Sequence, residues 1–416
     1  MSLSRRALLA SAATALAQGA GAQSRPGAPV FSLRRGVNLW PWFSLTREFP
    51  APRTDYAWPP YQLQRPVPTP HDLDRLRASG LDFARLPVDP GPFLAGAPKE
   101  RAELMAQLRA AVAATLAAGL SLVLNIQANG ATHHWNPTRL YATPEVPGLP
   151  AYRAFVADCA GMLSGFDASR VALEPVNEPP QGCSEAGWPM IQHGLLAAAR
   201  SRAPNLTLVA TGGCGSMVAG LLALDPQPLQ GFAPLLFTFH FYEPYLFSHQ
   251  GAPWMQEPVY RALNSVPWPA SEGSLATTLA AVRRRMDQDA ERSAVQKRSA
   301  YEETERVLKV YFDADPARPF IDRYLASVKA WGDRHGIAPA RILMGEFGAL
   351  RSDARYVAAA AADRARYIRD VRSSAEAFGF PWAFWNAFDG MGMIEDTSRA
   401  FDPAIVSALG LAMPRG

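Results

Sequence analysis

The chain has 416 residues, 48% of them hydrophobic and 19% charged, with a net charge of +4 and three cysteines. The apolar fraction excludes a disordered chain. The small, scattered charge excludes a nucleic-acid partner, because no basic run is broad enough to track phosphates. The length suits two or three domains, or one barrel with insertions.

The first element is an address. Arg5-Arg6, a mild apolar run Ala7–Ala17 and the small residues Ala20-Gly21-Ala22 read as an export signal over residues 1–22. The arginine pair points to the twin-arginine route. The run is too short to cross a bilayer, and no later segment is long and apolar enough. A periplasmic or secreted chain without a transmembrane span is therefore expected. Removing Arg5 and Arg6 lowers the net charge to +2, so the basic balance carries no functional signal. Such compartments are oxidising. Cys183 and Cys214 each follow a predicted strand and are the candidates for a disulfide, with Cys159 as a buried thiol in an apolar helical stretch. Three free buried thiols is the alternative. No spacing matches a zinc site, and no metal is expected.

Eight β-rich runs follow: 35–40, 83–88, 122–127, 171–176, 206–210, 235–241, 342–346 and 382–386. Helical patterns lie between them, among them the alanine-rich stretches 110–118 and 358–364. Eight strands each followed by a helix predict an α/β fold of the (β/α)8 barrel type, as one catalytic domain over residues 30–416. The rival is an open doubly wound sheet, which carries a glycine-rich phosphate loop after its first strand. Here the first strand runs into Asn38-Leu39-Trp40-Pro41-Trp42, which cannot cradle a phosphate.

Two insertions stand out. Residues 49–70 hold seven prolines with Tyr56, Trp58 and Tyr61 and read as a stiff extended loop on the C-terminal face of the barrel. A second, partly helical insertion runs from Tyr242 to about Pro339. Its first part carries Trp254 and Trp268, and its second part is a charged helical face turned to solvent. Trp58, Tyr61, Trp254 and Trp268 are candidate aromatic subsites.

The sharpest features are two glutamates at strand ends. Leu173-Glu174-Pro175-Val176-Asn177-Glu178-Pro179 places Glu178 where a strand halted by proline meets its loop. Ile342-Leu343-Met344-Gly345-Glu346-Phe347-Gly348 ends a second strand with a glutamate flanked by glycines. The fourth and seventh strands deliver their ends to the same face of a barrel, and two carboxyls across a cleft are what glycoside hydrolysis needs. Phe239-His240-Phe241-Tyr242 sends His240 and Tyr242 to one side by alternation. Arg85, inside a barrel strand, demands a carboxylate partner. Trp385 suits the floor of a sugar subsite, and Asn38 and Trp40 join the supporting set.

Taken together, the motifs Asn177-Glu178-Pro179, His240-x-Tyr242 and Gly345-Glu346-Phe347-Gly348, in this order, resemble glycoside hydrolase family 5, the cellulase-type (β/α)8 glycosidases. The likeness runs from Arg35 to Asn386. It implies a retaining double displacement with Glu178 as acid/base and Glu346 as nucleophile, and no cofactor. Asn177 would bond the sugar 2-hydroxyl, Tyr242 would hold Glu346, and His240 would orient Glu178. Arg85 would keep Glu346 ionised, and Trp385 would stack under the cleaved ring. On this scheme Glu346 has a low pKa, Glu178 a raised one, and the two carboxyls stand about 5 Å apart.

One position departs from the family. Gln127 stands where the family has histidine, with His133 and His134 following in the same loop. The expected activity is that of a monomeric endo-β-1,4-glucanase on a polysaccharide. The alternatives are a mannanase, an exo-β-glucosidase, an enzyme trimming exopolysaccharide, or a carbohydrate-binding protein on a retired barrel.

Overall fold

The structure is a computed structural model that describes residues 31–255 and 257–415. The predicted export signal lies outside them. Among the described residues ten strands occur in chain order: β1 Arg35–Asn38, β2 Thr46–Glu48, β3 Tyr56–Tyr61, β4 Phe83–Val88, β5 Ser121–Ile126, β6 Val171–Glu174, β7 Thr207–Thr211, β8 Leu235–Phe241, β9 Ile342–Phe347 and β10 Trp382–Phe384. Eight of them close a parallel barrel in the order β1-β10-β9-β8-β7-β6-β5-β4, with helices between them. This is the expected (β/α)8 architecture. Among the described residues no helix is long and apolar enough to cross a membrane.

The barrel interior is layered by alternation. Phe31, Phe83, Val123, Ala172, Val209, Leu236, Leu343 and Ala383 form a closed apolar plug. Two residues further along the strands the inward positions turn polar, with Asn38, Arg85, Asn125, Glu174 and Thr238 all fully buried. The plug keeps water from below, so this polar layer must be satisfied internally or from the open face. Outward positions such as Leu122, Leu124 and Ile126 belong to the main core between strands and helices.

Three local differences from the sequence reading have physical causes. First, the fourth barrel strand ends at Glu174 and not at Pro179, because Pro175 already lacks the N–H that a ladder needs. Second, the proline-rich segment is more than an extended loop. Its β3 pairs antiparallel with β2, joining Thr46 to Tyr61 and Glu48 to Tyr56. Pro59 and Pro60 are tolerated because this two-stranded ribbon has free edges. Third, the insertion after β8 ends sooner than expected. Helix 318–334 packs against helix 361–378 as the barrel's own layer, burying Ile321, Leu325, Val328 and Trp331. The inserted part carries helices 275–287 and 294–314.

Candidate active site

Glu346 is aimed by a bulge. The register between β8 and β9 shifts after Phe239 pairs with Met344, so that His240 pairs with Glu346. Gly345 is the extra residue. A Cβ there would stand 2.6 Å from Thr238 Oγ1 and 3.2 Å from His240 Nε2, so only glycine fits. The freed Gly345 carbonyl accepts from Asn38 Nδ2 at 3.0 Å. Glu346 is thereby buried and held from two sides. Arg85 Nη1 donates to Oε1 at 2.8 Å, and the Tyr242 hydroxyl donates to Oε2 at 2.9 Å.

Arg85 is the hub of the buried polar layer. It makes a bidentate pair with Glu174, from Nε at 2.7 Å and Nη2 at 2.9 Å. It also donates to Asn38 Oδ1 at 2.9 Å and to Asn177 Oδ1 at 2.7 Å. One guanidinium therefore serves two carboxylates, and their charges raise its pKa against the penalty of burial. Sequence reasoning had Arg85 serving Glu346 alone. Glu174 was missed as a partner, although alternation from Ala172 places it inward beside Arg85.

Glu178 is held by different means. It lies four residues past the end of β6, with a left-handed backbone at φ +43°. Cys214 and Ser216, in the facing loop after β7, are also left-handed, at +46° and +56°. Strained non-glycine residues of this kind persist only where surrounding bonds fix them. Cys214 N–H donates to Gln181 O and Gly215 N–H to Pro179 O. The Cys183–Cys214 disulfide closes the same two loops. Cys159 is a free buried thiol. Ser216 O then accepts from His240 N–H at 2.8 Å, tying this loop to β8.

His240 joins the two carboxyls. Its Nδ1 is 2.8 Å from Glu178 Oε1 and 3.7 Å from Glu346 Oε2. One oxygen of each glutamate and one ring nitrogen of His240 all lie within 4.8 Å of one another. Burial disfavours the imidazolium, yet the adjacent Glu346 and Glu178 charges raise the His240 pKa. Burial also presses on Glu178, but the His240 hydrogen bond and charge bring it below the ordinary glutamate value. Burial lifts Glu346 above that value, against His240 and Arg85. This order reverses the expectation of a low Glu346 and a raised Glu178. The reason lies in the partners. Burial opposes both charges, but Glu178 takes the His240 hydrogen bond, whereas Glu346 faces the Glu178 charge and draws on an arginine already matched to Glu174.

The cleft beside Glu178 has a volume of about 320 Å³ and is lined in part by Trp40, Asp89, Gln127, Asn129 and Asn177. Trp385 is half-buried, with its ring centroid 6.0 Å from that of Trp40. Gln127 reaches the cleft with its Oε1 unpartnered. His133 and His134 do not line it. Glu48 takes both of their backbone N–H groups, and the His133 ring is fixed to Glu48 and to Arg53 O.

Several expected substrate contacts belong to the scaffold. Asn38 is fully buried and orients Arg85, with no face toward the cleft. Trp268 is fully buried, packed on Phe247 and Tyr367 with Nε1 donating to Asp370, so it is core. Tyr61 is buried edge-on to Phe43. Trp58 and Trp254 are exposed. Trp254 stands edge-on to His249. His249 carries no motif that marks it, yet it is a buried imidazole that stacks on Tyr245 and contacts Tyr242, with burial bringing its pKa down to about 4.

Comparison with known proteins adds relatives. Residues 48–390 match the family Cellulase (glycosyl hydrolase family 5). A stretch of 162 residues, 39% of this chain, is 22% identical to Endoglucanase 3 of Fibrobacter succinogenes and spans only 21% of that protein. The fold is similar to that of the Clostridial cellulose synthase subunit Z (CcsZ) from Clostridioides difficile. The TM-score is 0.63 at 18% identity, covering 91% of this chain and 99% of that one. It is also similar to Thermotoga maritima Cel5A, solved with cellobiose and with mannotriose. Both comparisons give TM-score 0.62 at 16% identity, covering 91% of this chain and 97% of that one.

Proposed function

The chain belongs to glycosyl hydrolase family 5, the cellulase family, and is a glycoside hydrolase; on that premise we propose that it is an exported, retaining endo-β-1,4-glucanase. Glu346 attacks the anomeric carbon while Glu178 gives its proton to the departing glycosidic oxygen. A water then gives a proton to Glu178, and its oxygen displaces Glu346 from the sugar. The observation that carries this reading is the closeness of the two carboxyls, with oxygens within 4.8 Å. Retaining enzymes hold the two groups about 5 Å apart, whereas inverting ones leave roughly 6.5–9.5 Å for a water between them.

The reversed pKa order fits this chemistry once the proton is followed. In the free site the 2.8 Å bond favours the imidazolium–carboxylate form of the His240–Glu178 pair, raising the one pKa and lowering the other. A sugar in the cleft covers the exposed face of Glu178. Loss of water favours the neutral carboxylic acid, so the proton crosses to Glu178, where the leaving group needs it. Glu346, already buried, changes little. Its bonds from Arg85 and Tyr242 hold it in line for attack. Asn177, fixed through Oδ1 by Arg85, is left to bond the sugar 2-hydroxyl.

Export is supported by the N-terminal pattern and by the Cys183–Cys214 disulfide, a bond at home in oxidising compartments. A second reading, trimming of a self-made cellulose-like exopolysaccharide, is favoured by the likeness to a cellulose synthase subunit. The test is reducing-end release from carboxymethylcellulose, mixed-linkage glucan, glucomannan, galactomannan and xylan, beside a Glu346→Ala control. The configuration of the first product would be read by proton NMR. Glucan cleavage with retention is expected. Inversion would overturn the mechanism, and activity on mannans alone would overturn the substrate.

A further inference from the structure

A third carboxyl faces the same cleft, and the displacement mechanism does not use it. Asp89 follows β4 directly, two alternation steps beyond Arg85 by way of Pro87 on the inward side, and lines the cleft with Trp40, Gln127 and Glu178. It is 1% exposed. A fully buried carboxyl normally comes with a cation or a full set of donors. Asp89 has neither. Gly91 N–H donates to Oδ1 at 2.9 Å, and Thr46 Oγ1 donates to Oδ2 at a long 3.3 Å. Among the described residues no arginine or lysine pairs with it, and none lines the cleft. With so few donors, burial pushes the Asp89 pKa up to about 7. Above that pH its carboxylate can accept about four hydrogen bonds, so roughly half of this capacity is open.

The surroundings are unsatisfied in the same way. Gln127 Oε1, in the same cleft wall, has no partner. The buried Tyr56 hydroxyl, also without a partner, sits over Gly91 so closely that a Cβ there would come within 2.1 Å of it. That same Cβ would be 3.2 Å from Asp89 Oδ1. Such a set of free acceptors and donors beside the Trp40 ring is what a sugar offers to fill. One face of the ring stacks on an aromatic, and hydroxyls on its edge donate to a carboxylate.

Resting on the glycosidase reading, we propose that Asp89 is a substrate-binding residue that accepts hydrogen bonds from the hydroxyls of an uncharged sugar unit stacked at Trp40, and that it bars anionic glycans from the cleft. Above about pH 7, where Asp89 is ionised, Glu178 and Asp89 both face the cleft with no arginine or lysine on its wall, so a uronate or sulfated unit is disfavoured relative to a neutral one. A neutral hydroxyl pair meets acceptors in place of the water it leaves.

Asp89→Asn tests this, because the amide keeps an oxygen for the Gly91 N–H and so preserves the turn. On an unsubstituted soluble β-glucan, KM is expected to rise about tenfold or more, the loss of a hydrogen bond to a charged group, with kcat within a few-fold and the melting temperature retained. The preference for mixed-linkage glucan over carboxymethylcellulose, which carries negative charge, is expected to narrow. An unchanged KM, or a fall confined to kcat, overturns the proposal. So does loss of activity on chitosan alone, which would assign Asp89 to an ammonium group. Calorimetric binding of cellotetraose to Glu346→Gln, with and without Asp89→Asn, separates the two readings. Asp89-dependent binding by a protein that hydrolyses nothing sinks the hydrolase and keeps the subsite. Hydrolysis with binding indifferent to Asp89 does the reverse, and no binding of any neutral oligosaccharide also overturns the subsite.

Discussion

The two carboxyl-bearing strand ends solve one positioning problem in opposite ways. Glu346 stays on its strand and is re-aimed by a bulge at Gly345, buried under Arg85 and Tyr242. Glu178 has left its strand, sits in a left-handed turn, keeps an exposed face and hangs from a loop fastened by a disulfide. The first arrangement fixes an atom in space and denies it water. The second leaves the carboxyl open to solvent, so that its protonation can respond to what enters the cleft. A nucleophile needs the former, and a group that alternates between acid and base needs the latter.

The largest effect that could break this comparison comes from removing each carboxyl in turn. Glu346→Ala is expected to lower kcat by about 10⁴-fold or more on every substrate, since no covalent step remains. Glu178→Ala is expected to cost roughly 10²–10⁴-fold on a polysaccharide, whose leaving oxygen needs a proton. On a dinitrophenyl glycoside, whose leaving group needs none, its first step should be nearly intact. Equal losses for both variants on both substrates would mean that the two glutamates do not divide the work in this way.

A finer test concerns the shared arginine. Burial raises Glu346 above the usual glutamate value while Arg85 pulls it down, and Arg85 is divided with Glu174. As pH falls through the Glu346 pKa the nucleophile takes a proton, so kcat/KM should drop on an acidic limb lying above the ordinary carboxylate range. Glu174→Gln keeps the shape and leaves Arg85 with one anion. Glu346 should then ionise more easily, moving the acidic limb to lower pH. The variant will also lose stability, because it breaks a buried pair. An acidic limb that does not move would show that Glu174 has no hold on the charge of Glu346.

The two ends also differ in how legible they were. Glu346 and the residues that alternate inward beside it were readable because strand periodicity is local, whereas the bulge at Gly345, which breaks that period, was not. The eight strands were readable for the same reason. The pairing of Arg85 with Glu174 was legible in principle, since Ala172 and Glu174 alternate onto the inner face. Periodicity alone does not say which of Glu174, Glu178 and Glu346 an inward arginine pairs with. Tyr61 and Trp268 were assigned to substrate on residue type alone, and type does not separate a sugar platform from a core residue with one polar partner, such as Trp268 on Asp370. The left-handed turn at Glu178 had no sequence signal. It depends on contacts between loops about 35 residues apart, such as Gly215 N–H to Pro179 O.

The disulfide sharpens the contrast with the smallest effect on rate. Cys183 and Cys214 are 31 residues apart, and closing a loop of that length stabilises a chain by about 3–4 kcal/mol on the entropic view. The double Cys183→Ser, Cys214→Ser variant should therefore melt earlier. Its catalytic consequence should be local. The loops it frees carry Glu178 and the Ser216 carbonyl that anchors His240, whereas Glu346 is held by Arg85, Tyr242 and Asn38 without reference to those loops. Below its lowered melting point the variant should lose a few-fold in kcat on polysaccharide. The dinitrophenyl substrate, whose first step needs Glu346 but no acid, should be cleaved nearly as fast as before. An equal loss on both substrates would mean that the two strand ends are not independent and that the fastening of one loop reaches across the barrel to the other carboxyl.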